Sequence, residues 1–243
     1  MIPANRTLVA LDTPDTDGAL RLAGGVKGHV GGVKLGKEFF TAQGPEGVRR
    51  IAALGLPVFL DLKFHDIPNT VAGAVRAATG LGPFMLNVHA LGGEAMMRAA
   101  AAAATEAAAE AGIPRPLVLG VTVLTSMNES DLAGIGVKGS VLDQVLRLAA
   151  LAQTSGLDGV VCSAREIAAL RKSCGDGFKL VVPGIRPGWA AADDQKRIMT
   201  PLQAVGLGAD YLVIGRPITA ADDPADAAKR IADELNQGPK GAK

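Results

Sequence analysis

Short apolar runs alternate with helical patterns eight times along the chain, and this alternation constrains the fold more than any other feature. The runs are rich in Val, Leu and Ile, which is typical of parallel strands covered on both faces. We predict strands at Thr7–Asp12, Gly31–Leu35, Val58–Lys63, Phe84–His89, Leu117–Thr125, Gly159–Ser163, Lys179–Pro183 and Tyr211–Gly215. The predicted helices are Asp15–Ala23, Pro45–Leu54, Thr70–Thr79, Gly93–Ala111, Val141–Thr154, Ala164–Lys172, Ile198–Gly206 and Asp226–Leu235.

Eight strand–helix units in 243 residues predict an α/β fold, a single (β/α)8 TIM barrel that spans residues 1–243 as one domain. The alternative is a doubly wound open sheet, which usually has fewer strands and a glycine-rich first turn. The first turn here, Leu11–Asp15, contains no glycine and so lacks a dinucleotide-binding fingerprint. We predict that residues 236–243 form a disordered tail.

The composition argues against several classes of partner. A formal net charge of +1 and 3% aromatic residues predict no binding to nucleic acid or to an anionic membrane. The alanine-rich run Ala99–Ala111 is interrupted by Thr105, Glu106 and Glu110, which predicts a water-exposed helix and not a membrane span. The first residues contain no apolar signal core, and the two cysteines are too few for a disulfide framework, so we expect a cytoplasmic protein. The two cysteines also lack metal-ligand spacing.

The third predicted strand ends in charged residues, in the segment Phe59–Thr70. Alternate residues of a strand share a face, so Asp61 and Lys63 are expected to project side by side from a strand that is otherwise buried. Buried charges are costly unless they are paired, and α/β barrels carry their chemistry at the carboxyl ends of their strands. The alternative interpretation is a structural ion pair at the rim of the barrel.

Polar side chains also end the other predicted strands, at Asp12, Lys34, Asn87, His89, Thr125, Ser126, Ser163, Arg186 and Arg216. Parallel strands bring these ends together, so the set predicts a functional site at one end of the barrel. Taken singly, several of these residues have simpler interpretations. Asp12 alone fits either the start of a turn or the cap of the following helix, and both His65 and His89 fit structural hydrogen bonds better than acid–base chemistry.

Two loops combine a glycine with an arginine, Pro183–Pro187 after the seventh strand and Ile214–Pro217 after the eighth. Barrels often bind phosphate with these two loops, because glycine permits close backbone approach and arginine donates two hydrogen bonds to phosphate oxygens. Each loop alone fits an ordinary turn, whereas both together predict a phosphate site. The polar stretch 188–196 predicts a lid that closes over the ligand, in which Trp189 fits either a closing contact or a surface aromatic.

With these residues in view, the chain resembles the orotidine 5'-phosphate decarboxylase family from Leu8 to about Asn236. The most specific segment, Asp61–Thr70, is similar to the bacterial form of the family's Asp-x-Lys-x-x-Asp signature. Further similarities follow in order at Leu11-Asp12, Val33-Lys34, Val123–Ser126, Pro183–Pro187, Asp194-Gln195 and Ile214–Pro217.

The resemblance implies that the chain decarboxylates orotidine 5'-phosphate to UMP and CO2 in de novo pyrimidine biosynthesis, as a homodimer, without a cofactor or a metal. It implies an alternating network of catalytic charges, formed by Lys34, Asp61, Lys63 and Asp66, with Asp66 contributed by the other subunit. Within this network, Lys63 protonates C6 of the pyrimidine.

The resemblance also implies contacts to the substrate. Asp12 and Lys34 hold the ribose hydroxyls, together with Thr70 of the other subunit, while Asp61 faces the substrate carboxylate. Contacts to the pyrimidine and the phosphate are implied for Thr125, Ser126, Pro183, Arg186, Gln195, Gly215 and Arg216.

Three other functions remain open. The first is a Mg²⁺-dependent phosphosugar synthase or decarboxylase of the same barrel superfamily. The second is a Schiff-base aldolase, which needs an unprotonated lysine, and two carboxylates beside Lys63 disfavour that state. The third is a non-catalytic protein that binds a phosphate ligand.

Overall fold

The computed structural model describes residues 6–190 and 199–237. Its eight strands form a closed parallel barrel in the order β1 to β8, which confirms the predicted fold class. The strands are β1 Thr7–Ala10, β2 Gly32–Gly36, β3 Val58–Phe64, β4 Met85–His89, β5 Leu117–Val121, β6 Gly159–Val161, β7 Lys179–Pro183 and β8 Tyr211–Ile214. The described α-helices are α1 Thr16–Val26, α2 Lys37–Ala52, α3 Pro68–Thr79, α4 Gly93–Ala111, α5 Glu129–Gly134, α6 Val141–Thr154, α7 Ile167–Cys174, α8 Pro201–Gly206, α9 Arg216–Thr219 and α10 Pro224–Asn236.

The chain divides into two compact units, and the prediction of one domain stays a prediction. The first unit comprises Met1–Leu62 and Val182–Lys243, and the second is Lys63–Val181. In the first unit β8, β1, β2 and β3 pair in parallel, with Ala10 opposite Lys34 and Gly36 opposite Asp61. In the second unit β4, β5, β6 and β7 pair in parallel, with Asn87 opposite Leu119.

The strands are buried along most of their length, as their near-continuous apolar sequences predict. In β1 and β3, for example, Leu8 and Leu60 have no exposed surface. The helices cover them with one apolar stripe each, and α1 does so with Ala19, Ala23 and Val26. Among the described residues, no helix is both long enough and apolar enough to cross a membrane, and this includes the alanine-rich α4.

Local capping explains where several helices begin. The side chain of Asp15 accepts hydrogen bonds from the backbone N–H groups of Asp17 and Gly18, at 3.0 and 2.9 Å. It therefore satisfies donors that the first turn of α1 leaves without a partner. Because Asp15 caps α1, the interpretation of Asp12 as the cap is wrong. At α6, Ser140 and Asp143 form a reciprocal capping box.

The predicted element boundaries hold at some positions and fail at others. The predicted bounds of α4 and α6 agree with the structure. Helix α2 consists of two helical stretches divided at Gly44, which has a φ of +62°; the second stretch begins at the predicted Pro45, whereas the first, from Lys37, was not predicted. Strand β5 ends at Val121 and not at Thr125, and the short helices α5 and α9 were not predicted.

The last described helix overlaps the predicted tail by one residue. Helix α10 continues through Asn236, the first residue assigned to that tail. Residues 238–243 lie outside the described residues, so most of the tail prediction is not tested.

Substitutions of two glycines by alanine are expected to change stability in opposite directions. A Cβ on Gly32 would collide with the carbonyl oxygen of Pro57, whereas a Cβ on Gly24, in α1, would meet no atom within 4 Å. We expect Gly32→Ala to lower the free energy of unfolding by about 1–3 kcal/mol through overpacking. Gly24→Ala should raise it by about 0.5–1 kcal/mol, because alanine costs less backbone entropy in a helix.

Thermal unfolding of both variants and the parent checks this pair, since about 1 kcal/mol corresponds to about 2–4 °C in Tm for a chain of this size. Equal melting temperatures for the two variants would show that the strand start at Gly32 accommodates a methyl group.

Candidate active site

Three charged side chains of the first unit form an ion cluster. The Lys34 ammonium lies 3.0 Å from Asp12 Oδ1 and 3.5 Å from Asp61 Oδ2. The side chains of Lys34 and Asp61 are 11% and 12% exposed, whereas that of Asp12 is 60% exposed. The structure therefore brings together three residues that the sequence placed in the site, with two charges nearly buried and one carboxylate accessible to a ligand.

The register of neighbouring strands builds this cluster. Lys34 lies in β2 opposite Ala10, and the backbone N–H of Leu11 extends the ladder by donating to the Lys34 carbonyl at 3.0 Å. Asp12 follows directly, so its carboxylate reaches the lysine from β1 while Asp61 does so from β3. A Cβ on Gly36 would lie 3.2 Å from Lys34 Nζ and 3.5 Å from Asp12 Oδ1. Glycine at this position thus leaves room for the ammonium and the carboxylate, a contribution that the sequence did not reveal.

The predicted phosphate loops follow β7 and β8, and both loops belong to the first unit. Pro183 ends β7, and Arg186, only 7% exposed, donates its backbone N–H to the Met199 carbonyl at 3.2 Å. Gly215 precedes the short helix α9, and Arg216 is its exposed first residue. Both arginines stand where the sequence placed them, one buried and one accessible.

Lys63, the first residue of the second unit, has an unusual backbone conformation. Its φ is +52°, and it is the one non-glycine residue with a positive φ in the part of the chain that the structure describes. Its N–H donates to Asn87 Oδ1 at 2.8 Å. The strict strand alternation predicted for Asp61 and Lys63 therefore ends at Leu62, because Lys63 leaves the extended conformation. Such outliers tend to occur at functional sites.

The segment after Lys63 is exposed. All six residues from His65 to Thr70 are exposed, and the side chain of Ile67 is 67% exposed. Asp66 Oδ1 accepts the N–H of Ile67 at 2.6 Å, just before α3 begins at Pro68. The His65 and His89 rings lie 5.6 Å apart and tilted by 42°. Asp66 and Thr70 are thus exposed in this single chain.

The polar residues that follow β5 and β6 differ in exposure and in their hydrogen bonds. Thr125 and Ser126 occupy the centre of an exposed turn that the N–H of Met127 closes on the Leu124 carbonyl at 2.9 Å. Ser163 caps a single 3-10 turn, in which the Glu166 side chain accepts the Ser163 N–H at 2.8 Å. A structural role accounts for Ser163, whereas Thr125 and Ser126 remain available to a ligand.

Gln195 and the other residues from 191 to 196 of the predicted lid lie outside the described residues. Trp189, before this stretch, places its ring 4.0 Å from the guanidinium carbon of Arg230 in α10. This cation–π contact is one the sequence did not predict, because the two residues are distant in the chain. In the described part of the chain, no group of three or more His, Cys, Asp or Glu side chains is placed to hold a metal ion.

A closed parallel barrel with paired charges at its strand ends belongs to the class of (β/α)8-barrel enzymes. The model of the Orotidine 5'-phosphate decarboxylase / HUMPS family matches residues 5–231, and the chain belongs to this family.

Named relatives support the assignment. The orotidine 5'-phosphate decarboxylase of Rhodospirillum rubrum is 58% identical over 95% of this chain and 94% of its own length. That of Paramagnetospirillum magneticum is 55% identical over 95% of this chain and 98% of its own. The crystal structure of the orotidine 5'-phosphate decarboxylase of Lactobacillus acidophilus matches with a TM-score of 0.85 at 38% identity, covering 95% of this chain and 98% of that one. The resemblance drawn from the sequence is confirmed.

Glu166 gives a pH-dependent prediction. Burial raises the pKa of this carboxyl above its ordinary value of 4.5, although the hydrogen bond from Ser163 opposes the shift. The folded state therefore binds more protons than the unfolded state between the two pKa values, and stability falls as pH rises through that window. Glu166→Gln keeps an acceptor for Ser163 and removes the buried charge. Its gain in Tm over the parent should be larger at about pH 8 than at about pH 4.

Differential scanning calorimetry at the two pH values measures this effect, with Glu110→Gln on the exposed surface of α4 as the matched control. A gain that is the same at both pH values would mean that ionisation of Glu166 does not limit stability.

Proposed function

We propose that the chain catalyses the decarboxylation of orotidine 5'-phosphate to UMP and CO2, the carboxy-lyase reaction of pyrimidine biosynthesis. The observation that carries this proposal is 58% identity, over 95% of the chain, to a relative of that name. The charge cluster agrees with it, since Lys34 lies between two carboxylates at the ends of adjacent strands.

The chemistry requires a fixed positive charge. Loss of CO2 leaves a carbanion-like centre at C6 of the pyrimidine, with no adjacent carbonyl or imine to accept the electrons. An ammonium held beside C6 stabilises the developing charge and then delivers a proton. We assign this role to Lys63, near the end of β3, whose backbone is held in a defined, strained conformation. In this scheme the lysine itself stabilises the charge, and the reaction proceeds without a cofactor.

Asp61 supplies the negative charge of the proposed mechanism. Its carboxylate is 12% exposed and lies 3.5 Å from Lys34, so neither its position nor its hydration can adjust much when a ligand binds. Facing the substrate carboxylate, it raises the energy of the bound substrate until CO2 leaves. Together with Lys34, Lys63 and the Asp66 of a second subunit, it completes an alternating charge network.

Ribose and pyrimidine recognition is assigned to four residues. Asp12 and Lys34 hold the ribose hydroxyls, and this role suits a carboxylate that is 60% exposed yet fixed by a 3.0 Å contact to an ammonium. Thr125 and Ser126 read the pyrimidine amide edge, supported by their exposed turn after β5.

Phosphate recognition is assigned to the loops after β7 and β8. Pro183, the last residue of β7, leads into the first loop. Arg186, Gly215 and Arg216 hold the phosphate. Gln195 bridges the pyrimidine ring and the phosphate. Arg186 follows the end of β7 and Arg216 follows the end of β8 within a few residues, and this position supports the assignment. Binding energy from the phosphate, remote from C6, is then available to lower the barrier to decarboxylation.

We further propose a homodimer in which Asp66 and Thr70 complete the site of the neighbouring subunit. The six consecutive exposed residues from His65 to Thr70 support this, because they include charged and apolar side chains immediately after the signature lysine. Ile67, 67% exposed at the start of α3, is an apolar group that a second subunit would cover. A two-fold axis makes the exchange reciprocal.

A second candidate is a Mg²⁺-dependent phosphosugar synthase or decarboxylase, because the matching family model also covers the HUMPS group. The named relatives at 53–58% identity are orotidine 5'-phosphate decarboxylases, which favours the first candidate. Turnover of orotidine 5'-phosphate that persists in excess chelator distinguishes the two.

Replacing the proposed acid tests the mechanism. We expect Lys63→Ala to lower kcat for orotidine 5'-phosphate by at least about 10³-fold, because charge stabilisation and proton delivery are lost together. Lys172→Ala, on the exposed surface of α7, is the matched control and should keep full activity. The loss of substrate absorbance measures turnover, and circular dichroism verifies folding. Full activity in a folded Lys63→Ala variant would refute the role of Lys63.

Mixing two inactive variants tests the shared site. A heterodimer of Lys63→Ala and Asp66→Ala contains one site with both lesions and one site with neither. Random exchange in a two-fold dimer should therefore restore up to about a quarter of the activity of the parent. Native mass spectrometry confirms exchange, and each variant mixed with itself is the control. If heterodimers form and activity stays absent, Asp66 acts within its own subunit.

A further inference from the structure

The backbone of Lys63 adopts a conformation that is sterically unfavourable for a residue with a side chain. A φ of +52° brings a Cβ too close to the following carbonyl oxygen, and residues other than glycine avoid it. Residue 63 is nonetheless lysine, and β3 continues to Phe64 beyond it. A strained residue within a strand persists only where its surroundings determine its position.

The side chain of Asn87 contacts the backbone of Lys63. Its Oδ1 accepts the Lys63 N–H at 2.8 Å, within the second unit. Asn87 has no exposed surface, and its neighbours in β4, Leu86 and Val88, are equally buried. The pairing of β4 with β5 fixes its backbone opposite Leu119. A buried amide is costly unless it is hydrogen-bonded, so an apolar residue would pack at this position at lower cost if packing alone mattered.

We propose that Asn87 is a positioning residue for Lys63. It acts through the backbone: by accepting the N–H of residue 63, it holds the turn that directs the ammonium. The proposal rests on the role of Lys63 in the proposed function. Without the acceptor, residue 63 relaxes toward the extended conformation and its side chain rotates away. A displacement of about 1 Å at a reacting group costs about 10²-fold in rate.

Kinetic measurements test this role. Asn87→Leu keeps much of the side-chain volume and removes the acceptor, and Asn87→Ala serves if the leucine variant does not fold. We expect kcat to fall by about 10²-fold with little change in KM, because the substrate-binding groups stay in place. Asn87→Asp keeps a carboxyl oxygen as acceptor and should recover most of kcat.

The matched control removes another buried hydrogen bond from side chain to backbone. Ser155, at the end of α6, donates from Oγ to the Leu151 carbonyl at 2.7 Å and is 3% exposed. Ser155→Ala should lower Tm while kcat stays unchanged. If the Asn87 variants likewise lose only stability, the positioning role is overturned.

Melting temperatures test the contact independently of activity. With Asn87 present, Lys63→Gly should melt about 2 °C or more above Lys63→Ala, since glycine adopts a positive φ without strain. With Asn87→Leu, residue 63 is released and the difference should vanish or reverse. An unchanged difference would overturn the proposal. Activity in Lys63→Ala would instead refute the role of Lys63 in the proposed function, and the melting comparison would still decide whether Asn87 holds residue 63.

Discussion

Closing eight parallel strands into a barrel imposes the constraint on which the other features depend. Within each unit, neighbouring strands pair in parallel and in a fixed register. Parallel order also places every carboxyl end at the same end of the barrel. Residues far apart in sequence, such as Asp12 and Asp61, can then meet one ammonium, that of Lys34.

The buried charges explain why this cluster is built as it is. Lys34 and Asp61 are almost inaccessible to water, and isolated ions there would be strongly destabilising. Pairing offsets much of that cost and holds both groups still. Fixed charges of this kind are what the proposed electrostatic catalysis needs. Gly36 contributes by being small, because any side chain at that position would crowd the ammonium.

Much of the fold and part of the site followed from residue patterns. Short apolar runs located all eight strands. The bounds of α4 and α6 were predicted correctly, and α6 begins at the Ser140 capping box while α4 ends before Gly112 in a left-handed conformation. Gly44 and Pro45 mark the start of the second stretch of α2, and the first stretch, from Lys37, was missed. Strand β5 was predicted too long because the apolar sequence continues past Val121, where the strand ends. The contact of Trp189 with Arg230 joins distant residues, and no local pattern encodes it.

The sequence by itself determined the class of fold, the family and the identity of the charged residues, because strand periodicity and the signature from Asp61 to Thr70 are local properties of the chain. Only the tertiary structure decided that Asp15, and not Asp12, caps α1, and that Asp12 thereby meets Lys34. It also decided that Lys63 leaves the strand conformation and bonds to Asn87. The physical reason is that these contacts depend on the register between strands, and register is set by the packing of the whole barrel.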